Sequence, residues 1–352
     1  MPLPLQCQGL VYDPEDGNLA PREVPLGAPR AGEIIARVTL SSICRSDLHT
    51  IHGARRPAGP LILGHEICGT VADLGPGVES DAQGTPLGIG DRVTWSIAAS
   101  CGECPNCLRG IPQKCDVLFK YGHETLSTDP PLNGGFAEYC TLVPGTAVYK
   151  LSDDLPDETA VFANCAVATA AAIVRTAGLK EGHSVLVQGA GLLGLSVAAF
   201  CADHGAGQIV VTDTLPERLA LAREFGATHV AQPDAVEGQH DVVVEACGHP
   251  GVILQGINAL RVGGRYVIAG CVFPDATVDL DLYPVITKML RLEGVHNYRP
   301  NDLAQALSLL GRARDRFPFD RVVNTVFPLA EYHEALAKAE SAPSILRVAL
   351  RP

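Results

Sequence analysis

The stretch "HSVLVQGAGLLGLSVAAFCADHG", residues 183–205, decides the fold of this chain. An apolar, β-branched run leads into Gly189, Gly191 and Gly194, spaced G-x-G-x-x-G, and a helical run follows until Gly205. Each glycine has a mechanical reason at a strand-to-helix turn. The first permits the tight turn, the second lets a pyrophosphate approach the backbone, and the third lets the helix lie close on the strand. The helix start, at Leu192 and Leu193, favours phosphate charge. The next apolar run, "QIVVTD", ends in Asp213, nineteen residues after Gly194. A carboxylate there can accept hydrogen bonds from ribose hydroxyls and repels a 2′-phosphate, which favours NAD over NADP. A plain glycine-rich turn with Asp213 as a loop cap is the bland alternative.

Working outward, "LPERLALAREFG" reads as a helix, with Pro216 near its start and Gly226 after its end. "DVVVEAC" and "RYVIAGC" read as two further apolar strands. Apolar strands alternating with helices imply a parallel sheet covered on both faces. The flanks differ. Before residue 160 the chain carries short β-rich runs ("EIIARVTL", "EICGTVADLG", "GDRVTWSI") broken by Gly and Pro. The C-terminal part has helical patterns from Asn301 and Glu331 and a last strand, "SILRVAL". The expectation is an α/β protein: a β-rich domain over 1–160, a doubly wound parallel-sheet domain over 161–296, and a return to the first domain over 297–352.

Composition excludes several functions. The 352 residues carry a net charge of −12, so a basic nucleic-acid surface is not expected. The N-terminus "MPLPLQCQGLVYDPEDG" has neither a basic start nor an apolar run, and "AVATAAAIV" from Ala166 is too short to span a bilayer. A cytoplasmic protein with no membrane or nucleic-acid partner is expected.

Twelve cysteines are unusual in such a chain. Cys101, Cys104, Cys107 and Cys115 follow C-x2-C-x2-C-x7-C on turn-forming residues. Four thiolates suit a tetrahedral zinc with no open position, hence a structural role. An Fe–S cluster is the alternative on spacing. A second set is dispersed: Cys44 in "CRSDLH", His65 and Glu66 in "GHE", and Cys165 in "NCAVAT". Each alone is more often a core residue. Together they offer two thiolates and an imidazole, and a catalytic zinc keeps three protein ligands with the fourth place open. Asp47 is placed to orient the His65 ring. Cys7, Cys68, Cys140, Cys201, Cys247 and Cys271 lack ligand spacing and read as ordinary thiols.

The segments "CRSDLH", "LGHEICGTV", "GDRV", "CGECPNCLRGIPQKC", "GGFAEY", "CAVAT" and "GAGLLG", followed by Asp213, resemble the zinc-dependent medium-chain alcohol dehydrogenases in order and spacing, from about residue 30 to the C-terminus. The resemblance implies a GroES-like catalytic domain interrupted by a Rossmann domain, a dimer or tetramer, and two zinc ions per subunit. It assigns Cys44, His65 and Cys165 to the catalytic zinc, with Glu66 behind it, and Cys101, Cys104, Cys107 and Cys115 to the structural one. Ser46 and His49 match a proton relay. Arg45 and Arg347 match cofactor-phosphate contacts, Arg218 a position near the adenosine ribose, and Thr169 one near the nicotinamide. A Glu ligand occurs in the polyol branch, and Glu158 is a poor competitor for Cys165. The implied reaction is NAD-linked interconversion of an alcohol and an aldehyde or ketone.

The substrate is less legible. Arg55 and Lys120 fall near the implied pocket, with Ile97 and Trp95 as an apolar wall, and cations at a pocket mouth suggest an anionic substrate. Solvated surface charges are the bland reading of Arg55, Arg56 and Lys120. "PQKCDVLFKYGHE" and "GVHNYRP" also resemble a branch encoded with phosphonate-metabolism genes, which adds His123, His296, Asn297, Tyr298 and Arg299 as pocket candidates. A neutral secondary alcohol or polyol is the alternative substrate. A zinc-free reductase would lack the cysteine and GHE motifs, and a non-catalytic NAD-binding sensor would have lost a ligand or relay residue.

Overall fold

The apolar runs of the chain's middle do form a parallel sheet. In the computed structural model, which describes residues 3–272 and 276–352, six parallel strands lie in the order His229–Ala231, Gln208–Thr212, Ser184–Gln188, His240–Glu245, Leu260–Ile268 and Arg291–Gly294. By chain order this is 3-2-1-4-5-6, the doubly wound Rossmann arrangement, with its switch point between Ser184–Gln188 and His240–Glu245. Leu186, Val243, Ile257 and Tyr266 belong to one core cluster of this unit. The outermost strands, His229–Ala231 and Arg291–Gly294, were not anticipated. They are short and partly exposed, so neither needs an apolar run.

The glycine turn is built as its chemistry requires. Gly189 has φ of 108°, and a Cβ there would lie 2.8 Å from the Cys247 Cβ. A Cβ on Gly194 would come within 1.8 Å of the Gly189 carbonyl oxygen, whereas one on Gly191 would meet nothing within 4 Å. The first and third glycines are therefore fixed by packing inside the protein, and the second leaves space.

The chain divides into two compact units, one of residues 1–165, 299–311 and 320–352, the other of 166–298 and 312–319. Residues 312–319 thus join the Rossmann unit and not the β-rich one. Arg312 and Arg316 pair with Asp203 at 2.5 and 2.8 Å, and Phe319 packs edge-on against Phe225 at 4.9 Å. The apolar stretch from Ala166 also belongs to a longer helical run than its sequence suggests. The run Asp157–Ala177 has the length and hydropathy to cross a membrane, but 78% of its most apolar window is buried in the protein, as in a core helix.

The β-rich unit is the GroES-like part of the fold. Its larger sheet runs Val148–Lys150, Arg92–Trp95, Glu66–Leu74, Ile34–Ser42, Arg347–Arg351, Val323–Pro328, with Tyr139–Leu142 added on Ile34–Ser42. A three-stranded sheet of Asn18–Pro25, Gln6–Asp13 and Leu61–Ile62 accompanies it. Val38, Ile67, Val93, Trp95 and Tyr121 share one core cluster. In the large sheet Ser42 pairs with Glu66 on one side and with Ala349 on the other. This register sets up the site described next.

The glycine geometry yields a stability test. Gly194→Ala is expected to cost about 3 kcal/mol or more through overlap with the backbone, while Gly191→Ala stays within about 1 kcal/mol. Urea unfolding of the two variants measures this, and equal losses would contradict the packing account.

Candidate active site

Strand pairing assembles the ligand set. Cys44 follows the end of Ile34–Ser42 and His65 directly precedes Glu66–Leu74, so the Ser42–Glu66 pair brings them together. The last strand adds Arg347, because the Ile43 N–H donates to the Val348 carbonyl at 2.8 Å. Cys165 arrives from a different quarter, on the π-turn Ala163–Val167 that precedes the helix Ala168–Ala177. Such turns widen a helix by one residue and recur at functional sites. Ligand atoms of Cys44, His65, Glu66 and Cys165 all lie within 4.8 Å of one another.

Asp47 organises two of these ligands. It stands in the first turn of the helix Arg45–Ile51, whose N-cap is Cys44, and its Oδ2 accepts the Cys44 N–H at 2.9 Å. Its Oδ1 lies 3.3 Å from His65 Nδ1, a close contact whose alignment falls short of a hydrogen bond, and accepts the Gly64 N–H at 3.3 Å. This leaves His65 Nε2 directed to the other side, where Ser46 Oγ sits at 3.3 Å. A ring held from behind with its far nitrogen free for a metal is the usual arrangement of a ligating histidine.

Glu66 is fully buried, and the Arg347 guanidinium meets it through Nε and Nη2, both at 2.6 Å. Ser42 Oγ donates to the same carboxylate, and Arg347 Nη2 lies 3.6 Å from Cys44 Sγ. Burial pushes the Glu66 carboxyl up, and Arg347 opposes that rise. The sequence suggested a cofactor phosphate as the partner of Arg347; the structure gives its buried guanidinium to Glu66, because the final strand pairs directly beside Cys44. Between the two cysteines the charge is uneven. A hydrogen bond from Cys165 holds the Cys44 thiol well below its ordinary range, against burial and with help from Arg347 and His65, and the same bond pushes Cys165 up. Two sulfurs, an imidazole and a carboxylate oxygen converging in a buried place suit zinc. Glu158 lies apart from this set, paired with Arg351 at 2.8 Å on the surface.

The fifteen-residue cysteine loop makes a second cluster. Ligand atoms of Cys101, Cys104, Cys107 and Cys115 also fall within 4.8 Å of one another, with Sγ–Sγ distances of 3.9 Å for Cys104–Cys115 and 3.5 Å for Cys115–Cys101. Zinc–sulfur bonds of about 2.3 Å give a tetrahedron with edges of about 3.8 Å. Backbone N–H groups of Cys101, Cys104 and Cys107 point at neighbouring sulfurs at 3.3–3.5 Å. The backbones of Asp116 and Cys107 hold the Cys104 thiol down to about 6. Asn106 closes the loop by donating to the Lys114 carbonyl and to Asp116.

At the glycine turn, Gly191 is the N-cap of Leu192–Asp203 and offers no side chain to the N–H groups there, including those of Leu193 and Gly194. An anion fits such a start. Asp213 is buried and already engaged: Oδ2 accepts the Ala190 N–H at 2.8 Å, Oδ1 accepts the Leu215 N–H at 3.0 Å, and Arg218 approaches within 3.5 Å. It therefore caps the turn, and a carboxylate retains lone pairs for further donors. Thr169 lies in the same unit, in the first turn of its helix.

The pocket candidates separate. Trp95 is fully buried in the core against Val93 and Tyr121, so it is not a wall, since its strand turns that side chain inward. Ile97 is also buried. Lys120 lies on Phe119–Lys120, paired with Ala98–Ala99; burial and then Arg55 lower its amine to about 8, and it feels the charges of Cys165 and Cys44. Arg55 is partly buried with Nη1 3.4 Å from His123 Nδ1, and the His123 ring stacks on His65 at 5.5 Å. Arg56 is an exposed surface charge, and Arg45 at the head of its helix is exposed as well. His49, one turn after Ser46, is partly buried and held below its ordinary value by burial, Arg45 and Arg55. His296, Asn297 and Tyr298 fall in the Rossmann unit, with Tyr298 buried, and Arg299 lies beside Gly110 of the cysteine loop. Sequence reasoning missed the π-turn, Ser42, and the contact of Arg347 with Glu66. No local pattern signals any of them.

Comparison with known proteins agrees with this chemistry. The alcohol dehydrogenase GroES-like domain matches residues 30–153, and the zinc-binding dehydrogenase domain matches residues 193–312. The 5-exo-hydroxycamphor dehydrogenase of Pseudomonas putida is 32% identical over 340 residues, covering 92% of each chain. The alcohol dehydrogenase of Thermotoga maritima superposes with a TM-score of 0.91 at 27% identity, covering 99% of this chain and 100% of that one. A zinc-binding dehydrogenase of Sinorhizobium meliloti bound to NADP superposes with a TM-score of 0.86 at 25% identity over 99% of both chains. With these motifs, this fold and relatives of this extent, the chain belongs to the zinc-dependent medium-chain alcohol dehydrogenase family.

Proposed function

We propose that the protein is an NAD-linked dehydrogenase with a catalytic and a structural zinc, interconverting a small alcohol and its aldehyde or ketone. We further propose an anionic substrate, of which hydroxyphosphonates are one class. The observation that carries the dehydrogenase reading is the convergence of Cys44, His65, Cys165 and Glu66 beside Ser46. When bound, zinc supplies Lewis acidity at the substrate oxygen, and the nicotinamide takes up or returns the hydride. The chain's own residues do the rest. Cys44, His65 and Cys165 hold the metal, and Asp47 keeps the His65 ring turned with Nε2 outward. Ser46 Oγ stands next to that nitrogen and accepts the proton of a substrate hydroxyl as it gives up its own. His49, on the same helix face and kept neutral by its surroundings, takes the proton on toward solvent. Gly191 and the N–H groups at the start of Leu192–Asp203 receive the dinucleotide phosphates, and Asp213 favours unphosphorylated ribose.

A neutral alcohol is the second reading, favoured by the name of the Pseudomonas relative, which acts on a hydroxycamphor. A non-catalytic sensor is disfavoured because every ligand and relay residue is present. A homodimer or homotetramer is supported by the exposed Tyr283, Ile286, Met289 and Leu292 at or near the edge strand Arg291–Gly294. Thiolate metal sites suit a reducing compartment, in keeping with a cytoplasmic location.

Metal analysis should find about two zinc ions per chain. Cys165→Ser should lose one of them and all turnover while staying folded. Cys107→Ser should lose the other and lower the melting temperature; full metal content in either variant would remove its assignment.

For the cofactor, kcat/KM should favour NAD, and Asp213→Asn should cut the NAD/NADP ratio by about 10-fold or more. A wild-type preference for NADP would overturn this part.

The relay makes a pH statement. Because the His49 pKa is depressed, its base form prevails at neutral pH and is lost only as pH falls through that lowered value. His49→Gln should slow alcohol oxidation by about 10-fold or more near neutrality, and the deficit should shrink as hydroxide rises. A pH profile superimposable on the wild type would take His49 out of the relay.

A further inference from the structure

We infer that Arg55 and Lys120, with His123 as their positioning residue, form a receptor for an oxyanion on the substrate and thereby determine specificity. The inference rests on the dehydrogenase reading and gives the proposed anionic substrate its binding groups.

Three observations carry it. First, neither cation is disposed as a surface charge. Lys120 and Arg55 are both partly buried, and among the described residues neither forms an ion pair with a carboxylate. The nearest acid on the same segment, Glu124, accepts the Lys120 backbone N–H at 3.0 Å and not its ammonium. Cations withdrawn from water without a partner are costly, and proteins keep them where a ligand completes the pair.

Second, Arg55 shares a wall with the metal ligands, and Lys120 stands near enough to feel the charges of Arg55, Cys165 and Cys44. Arg55 Nη1 sits 3.4 Å from His123 Nδ1, and the His123 ring stacks on His65 at 5.5 Å with an interplanar angle of 27°. The ring that presents Nε2 to a metal thus backs the ring that orients the guanidinium. An oxyanion on Arg55 and Lys120 would belong to the same small molecule as the oxygen at Ser46.

Third, the charges add up to attraction. Two thiolates, Cys44 and Cys165, balance a divalent ion, and Arg347 balances Glu66. Asp47, the further buried carboxylate beside His65, offsets one unit, so Arg55 and Lys120 leave a net positive charge. A carboxylate offers two acceptor oxygens and a phosphonate three, and Arg binds such planar or tripodal groups through more than one N–H.

The test uses zinc-loaded full-length protein with 2-hydroxyethylphosphonate, 3-hydroxypropanoate and 1-propanol as substrates, and ethylphosphonate and propanoate as non-reacting probes in titration calorimetry. The wild type should favour one of the anionic alcohols over 1-propanol. Arg55→Met and Lys120→Met should each cut that preference about 10- to 100-fold, mostly through KM, and weaken the matching probe by the same factor. Lys120→Arg should recover binding. His123→Asn should raise KM for the anionic substrate with kcat largely kept, which general loosening of the fold would not do. Whether phosphonate or carboxylate binds better names the anion. Wild-type protein that binds neither probe, or variants that keep the wild-type dissociation constants, would overturn the receptor. Failure of the wild type to reduce NAD with any alcohol would instead remove the dehydrogenase reading, and calorimetry would still decide whether the receptor exists.

Discussion

The pairing of Ser42 with Glu66 across two antiparallel strands is the contact on which the site depends. Cys44 and His65 are twenty-one residues apart and have no local reason to meet. The ladder makes them neighbours, and a slip of one residue would turn every side chain of one strand to the opposite face. The same register seats Ser42 against the Glu66 carboxylate, and the last strand, joined at Ala349, brings Arg347 to both of its oxygens. Isolated, a fully buried carboxylate would be expensive; held by a guanidinium and a hydroxyl it is tolerated, at little net gain in stability. Its value lies in placement. A charge pair completed behind Cys44 and His65 leaves the ligand atoms of the set available to the proposed metal.

How far each part could be read in advance follows from how local its physics is. The glycine turn was legible because a positive φ at Gly189 and backbone crowding at Gly194 are constraints that only glycine meets, wherever the chain goes afterwards. The four-cysteine loop was legible for the same reason, since its ligands lie within one short segment. Cys44, His65 and Cys165 were readable only as a combination, with resemblance supplying the link that spacing could not. The short strands His229–Ala231 and Arg291–Gly294 carry little apolar signal because they lie at sheet edges. The passage of residues 312–319 to the Rossmann unit depends on Asp203 and Phe225, far away in sequence. Trp95 shows the limit of composition: an apolar residue near a pocket in sequence takes the core when its strand points it there.

Asp213 gives a subtler case. Sequence reasoning set two roles against each other, a ribose acceptor and a loop cap. The structure shows the cap in place, with one carboxylate oxygen on Ala190 and the other on Leu215. The roles are compatible, because each oxygen has a second lone pair and the cap fixes where the free ones point. A residue that holds the turn in shape is also well placed to read what the turn binds, and its negative charge is then positioned with the same precision as the backbone.

The two metal-ligand sets differ in the way their roles require. The cysteine loop is exposed or half-exposed at Cys101, Cys104 and Cys107 and buried at Cys115, closes on itself through Asn106, and presents four like ligands. Filled, it has no vacancy and can only stiffen the loop. The other set is buried except for a half-buried Cys165, of mixed chemistry, and anchored to the ends of two strands and one widened helical turn. Such an arrangement demands a folded domain around it. With the roles proposed above, that demand explains why the reactive ligands lie far apart in sequence while the inert ones are contiguous. An open coordination place must be shaped by walls that the ligands' own segments cannot supply, and in the proposed reading those walls include the half-buried cations of Arg55 and Lys120.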